Sequence, residues 1–170
     1  MCPGYFKIKA GKEASVGQLI AWIGKELLKG PIEVSQLEAY NESTENGNWL
    51  GRSFIVSQQG QWTVFEDITG FIYSEGTDAW SRLAKEYDLV VAGYNDSILL
   101  GRLIIIEEGK VVREFFEHEK DRSDDVNEGP SPYEDDSPIG QWSDLEEFVY
   151  DETYGYEVNE GTLYVFKDDS

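Results

Sequence analysis

A chain of 170 residues with 40% hydrophobic and 14% aromatic side chains is long enough and apolar enough to fold without a disulfide or a metal, and its one cysteine, Cys2, makes an internal disulfide impossible. The formal net charge of -20 excludes a phosphate backbone or an anionic membrane as an attractive partner, because both repel an acidic surface. No apolar run reaches membrane-spanning length, and residues 1–10 lack a basic region followed by an apolar stretch, so a cytoplasmic single-domain protein over 1–170 is expected.

Gly4 to Ala10 alternates Tyr5, Lys7 and Lys9 with Phe6, Ile8 and Ala10, the period of a half-buried strand. Ser15 with Gln18 three residues on reads as a capping box. Val16, Leu19, Ile20, Ile23, Leu27 and Leu28 then recur at helical spacing, which predicts a helix over Val16 to Lys29 stopped by Gly30-Pro31. Gln36 to Tyr40 is expected as a strand and Asn41 to Asn48 as a polar loop. Arg52 to Ser57 and Gln61 to Glu66 flank Gln58-Gln59-Gly60 as a hairpin. Thr77 is placed to cap a helix over Asp78 to Glu86. Asp88 to Gly93 reads as a strand, and the Glu108-Gly109 step joins Leu99–Ile106 to Val111–Phe115 as a second hairpin at the sheet centre. Glu117 to Pro138 is charged and proline-containing and is expected as an exposed acidic loop. Trp142 to Tyr150 follows as a short helix and Thr162 to Phe166 as a closing strand. Two hairpins demand antiparallel pairing, so the expected fold is α+β: a mostly antiparallel sheet of about six or more strands with two to three helices packed on it.

Chemistry-bearing motifs are sparse. His118, the only histidine, reads as a solvated strand-end residue, and Cys2 beside Pro3 has no basic neighbour to activate a thiol. Gly93-Tyr94-Asn95-Asp96 follows an apolar strand but lacks the glycines and lysine of a phosphate loop, so turn formation accounts for it. An EF-hand starting at Asp125 fails, because Pro130 falls where the loop needs glycine and Asp136 where it needs a bidentate glutamate. No catalytic, cofactor or metal site is therefore expected.

Charge distribution carries more. From Glu117 to Ser170 the chain holds 18 acidic and 3 basic residues. Aromatic residues interleave with the acids, the combination that interfaces favour. The expected partner-binding residues are Glu117, Glu119, Asp121, Asp124, Asp125 and Glu128, followed by Tyr133, Glu134, Asp135, Asp136 and Trp142.

Trp62-Thr63-Val64-Phe65-Glu66-Asp67-Ile68-Thr69-Gly70, Trp80 with Leu83-Ala84, Ala92-Gly93-Tyr94-Asn95-Asp96, Gly101-Arg102-Leu103-Ile104-Ile105-Ile106 and Arg113-Glu114-Phe115 together resemble, in style and order, small acidic bacterial immunity proteins of polymorphic or contact-dependent toxin systems, SUKH-like in style. The resemblance spans about Gln61 to Phe116 and assigns no individual toxin-binding residue. It implies a non-enzymatic inhibitor that covers a basic partner, such as a nuclease toxin. Two alternatives stand beside it: a housekeeping or regulatory interaction domain whose acids only solvate, and a hydrolase using carboxylates such as Glu66 and Asp67.

Overall fold

A computed structural model describes residues 4–129, 134, 138–150 and 160–168. The described strands are β1 (Gly4–Ile8), β2 (Leu27–Ser35), β3 (Thr44–Glu45), β4 (Asn48–Trp49), β5 (Gly51–Gln59), β6 (Trp62–Asp67), β7 (Leu89–Asn95), β8 (Leu100–Glu107), β9 (Lys110–His118), β10 (Val126–Glu128) and β11 (Glu160–Lys167). Four α-helices accompany them: α1 (Lys12–Ile23), α2 (Gln36–Ser43), α3 (Thr77–Leu83) and α4 (Leu145–Tyr150). Nine strands form one sheet in the order β10-β9-β8-β7-β1-β6-β5-β11-β2, and every pairing in it is antiparallel. The fold is α+β, and no helix among the described residues is long and apolar enough to cross a membrane.

Alternation sorts the side chains onto two covered faces. One carries Tyr5, Ile55, Val64, Leu103, Ile105, Phe115 and Leu163, covered by Ala39 of α2 and by Leu145, Phe148 and Val149 of α4. The other carries Phe6, Phe54, Phe65, Val91, Ile104 and Phe166 under α1, α3 and a 3₁₀ turn at Phe71–Tyr73. Its centre is aromatic: Phe6 stacks on Phe65 at 4.6 Å, and Trp22 leans on Trp80 at 4.8 Å.

The hairpins β5–β6 and β8–β9 pair as the alternation predicts, with Phe54↔Asp67 and Leu103↔Phe115 in register, but β8–β9 lies next to the β10 edge and β1, not this hairpin, is at the sheet centre. Other local readings change. The first helix ends at Gly24, whose left-handed backbone (φ 61°) is favourable only without a Cβ and lets its N–H donate to Ile20 O. Leu27 and Leu28 therefore leave the helix and enter β2, paired with β11, and Gly30-Pro31 is a cis step inside that strand. Ser15 is buried within α1, and the helix is capped by Gly11 instead.

The capping box sits one element later. Ser35 Oγ accepts from Glu38 N–H (3.4 Å) and Glu38 Oε2 accepts from Ser35 N–H (2.7 Å), so Gln36 to Tyr40 is helical. The supposed polar loop holds the end of α2 and the small β3–β4 hairpin around Asn46-Gly47. Thr77 caps nothing. Gly76 is the N-cap of α3, and the Thr77 hydroxyl donates to Glu114 Oε1 (2.8 Å) on β9.

Candidate interaction surface

The acidic segment begins inside the sheet. β9 continues to His118, so Glu117 projects from a strand onto the face that α4 covers, and its side chain is buried. Glu117 Oε1 accepts the backbone N–H of Trp142 (3.1 Å), and Oε2 lies 3.5 Å from Arg122 Nη1. Gly101, opposite Glu117 in β8, is where the covering segment comes closest: a Cβ there would lie 2.6 Å from Leu145 Cδ1 and 2.9 Å from Trp142 Cα.

Arg113 organises the corner. It stands on β9 opposite Ile105, 3% exposed, and its guanidinium forms a fork on Glu134, Nε to Oε2 at 2.8 Å and Nη2 to Oε1 at 3.0 Å. The remaining N–H groups donate to Asn127 Oδ1 (2.8 Å), Glu128 O (3.1 Å), Glu114 O (3.2 Å) and Ile139 O (3.1 Å). Glu134 Oε1 also accepts Ile139 N–H (2.8 Å). One buried arginine thus ties the edge strand β10 and the two buried residues beyond it, Glu134 and Ile139, to the sheet. Short carboxylate caps shape the turns between: Asp121 Oδ1 accepts Ser123 N–H, Asp125 Oδ1 accepts His118 N–H, and Asp144 Oδ2 accepts from Gly140 and Gln141. The Ser123 contacts hold Asp121 below the usual carboxylate range.

The expected partner-binding residues therefore divide. Glu117, Asp125 and Glu134 point into the fold, so the exposed-loop expectation is corrected for them: each satisfies a backbone N–H or a guanidinium. Trp142 is half-buried and packs against the core, while its indole N–H donates to Glu119 Oε2 (2.8 Å), so it is a wall of the corner more than a free anchor. Glu119, Asp121, Asp124 and Glu128 are exposed, as are Glu146 and Glu147 on α4. Tyr133, Asp135 and Asp136, like Cys2, lie outside the described residues.

Arg113 was missed as an organiser. The signal was present in Val111-Val112-Arg113-Glu114-Phe115: an arginine on the apolar side of a strand needs a carboxylate partner.

Other candidate residues settle into structural places. Asn95 Oδ1 accepts Ser97 and Ile98 N–H, which is turn chemistry. Among the described residues no cluster of His, Cys, Asp and Glu is placed to hold a metal ion. Glu66 and Asp67 are successive in β6 and turn to opposite faces, so they do not form a carboxylate pair. Lys7 lies over the Trp62 ring at 4.8 Å, and burial pushes it down to about 8.

Asp67 is 2% exposed and accepts Ile72 N–H (2.7 Å) and Thr69 N–H (3.2 Å); burial raises its pKa from 3.8 to about 6 despite these bonds. The folded state holds this proton more tightly than the unfolded chain. Its contribution to stability is therefore full below pH 3.8 and is lost as pH rises through about 6. Denaturant unfolding from about pH 4 to about pH 7 should show the wild type losing stability relative to Asp67→Asn. Parallel profiles would remove Asp67 as the source.

The chain matches no family model, no curated protein and no solved structure.

Proposed function

We propose that the chain is a non-enzymatic, cytoplasmic binding protein that neutralises a basic partner protein, in the manner of a toxin-immunity protein. The observation that supports this reading is the buried Arg113 network, which ties Glu134 and the edge strand β10 to β9 while Glu119, Asp124 and Glu128 remain exposed. Acids that only solvated the chain would need no such anchoring. Preorganised carboxylates lose little freedom when they meet lysine or arginine, and their summed field speeds encounter. Inhibition then needs only coverage of the partner's cationic surface.

The test uses the protein that affinity capture from the native strain identifies as the partner, with association rates measured between about 0.05 and 0.5 M salt. Wild-type association should fall by about tenfold or more across that range, because exposed charges are screened beyond about 8 Å at physiological ionic strength. Replacing Asp124 by Asn together with Glu128, Glu146 and Glu147 by Gln should slow association at low salt and leave the unfolding midpoint unchanged, since none of the four makes a described side-chain hydrogen bond. Equal rates for variant and wild type at both salt levels would reject the acidic corner as the functional surface and leave its charge as solvation.

A further inference from the structure

At the opposite edge of the sheet α2 and the β3–β4 hairpin build a second surface. Leu37 is 73% exposed, Tyr40 51% and Trp49 46%. Leu37 and Tyr40 stand three residues apart on one side of α2, and the Tyr40 and Trp49 rings meet edge to face at 5.4 Å. A lone exposed apolar residue is ordinary, whereas a contiguous group with two aromatics is the composition of an interface anchor.

This group is held in place. The Ser35–Glu38 box fixes the start of α2, the Thr44 hydroxyl donates to Tyr40 O (3.1 Å), and Leu50 N–H donates to Ser43 O (2.9 Å) across the hairpin. Trp49 is thereby presented beside Tyr40 without cost in ordering on contact.

The surrounding charge selects the occupant. The stretch 29–50 contains Glu33, Glu38, Glu42 and Glu45 against one base, Lys29, whose Nζ is already bonded to Glu42 at 2.9 Å. A second copy fits poorly, because an isologous contact would set these carboxylates against themselves on two molecules of charge -20. We propose that Leu37, Tyr40 and Trp49 dock a cationic amphipathic segment of a partner protein, its apolar residues on the aromatic pair and its Lys or Arg against Glu38 and Glu45.

The inference rests on the reading of a basic partner and adds a contact surface to it. α2 packs on β2, β11 and β5, six to eight strand spacings from β10. That is about 29–38 Å from β10, and about 14–29 Å from β7 and β8 under α4, so the two surfaces are distinct patches that separate variants can test.

The experiment titrates the isotope-labelled full chain with a synthetic helical peptide carrying lysine on one side and leucine and tryptophan on the other. Two control peptides are used: one with the same residues scrambled so that no apolar side forms, and one with glutamate in place of lysine. The helical peptide should shift the amide signals of Leu37 and Tyr40 and the indole signal of Trp49, and both controls should bind about tenfold more weakly or worse. Leu37→Ser and Trp49→Ala should each weaken binding by about tenfold, while the four-site corner variant binds this peptide as the wild type does. Should Trp49→Ala disturb the hairpin, Leu37→Ser still decides, because that side chain is mostly in solvent. Shifts confined to the acidic corner, equal binding of the scrambled peptide, or an unaffected Leu37→Ser would each overturn the proposal. So would self-association of the chain that Leu37→Ser abolishes. A failed patch with a corner variant that still slows association with the captured partner leaves the proposed function standing. A patch that binds while the corner variant associates normally rejects only the corner.

Discussion

Replacing Arg113 with alanine should cost about 3–5 kcal/mol, because it leaves the Glu134 carboxylate, 8% exposed, as a buried charge without its guanidinium. The loss has three parts. Glu134 keeps only the Ile139 N–H as a described partner, the carbonyls of Glu114, Glu128 and Ile139 lose the guanidinium as a donor, and Asn127 is released. Arg113→Lys should recover only part of this, since one ammonium cannot form the fork that reaches both Glu134 oxygens while also serving Asn127 and three carbonyls. A double replacement, Arg113→Met with Glu134→Leu, should cost less than Arg113→Ala alone, because no charge is then stranded. Urea unfolding reads the cost, and amide exchange at Val126–Glu128 reads whether β10 has come away from β9. A cost below about 1 kcal/mol with β10 still protected would show that the pair does not hold β10 to β9.

The second large effect separates the two faces of one strand. Ile104→Asp should destabilise by more than about 4 kcal/mol, and Ile105→Asp by less, although both isoleucines are almost completely buried. From the sequence alone, Ile105→Asp is expected to bring an unpaired charge into the core. The register changes the comparison. Ile105 lies between Val90 and Arg113, so a carboxylate there competes with Glu134 for the guanidinium and is partly compensated. Ile104 lies between Val91 and Glu114 on the face with Phe6, Phe54 and Trp80, so an aspartate there meets an apolar cluster and a like charge directly across. Denaturation midpoints of the two variants decide it, and equal losses would show that the cross-strand neighbour does not matter.

The charge-changing tests on the corner and the apolar tests on the α2 patch act on residues that the core does not need. A defect there with unchanged unfolding is a defect in contact, whereas the Arg113 and Ile104 variants measure the scaffold that presents both surfaces.

The hairpins at Gln58–Gly60 and Glu108-Gly109 were legible because alternation with period two and local turn residues are properties of consecutive residues. The same holds for the closing strand, although nothing local says that β11 lies between β5 and β2. Leu27 and Leu28 continue the apolar spacing of α1 and so mimic a longer helix. Gly24 in the left-handed region ends that helix, and pairing with β11 makes the next residues a strand. Ser35-Gln36-Leu37-Glu38 is a capping box, and Asn46-Gly47 a hairpin turn, as plainly as any in the chain. Both are readable, and together they locate the aromatic patch.

By itself the sequence determined the α+β class, the antiparallel pairing, the apolar strands and the concentration of acid after Glu117. Tertiary structure alone decided which of those acids face solvent. Glu117, Asp125 and Glu134 have the same composition-level signature as Asp124 and Glu128, and they differ because Arg113, Trp142 and His118 approach from distant or folded-back segments. A carboxylate's role is set by the donor that reaches it, and donors are brought by the fold.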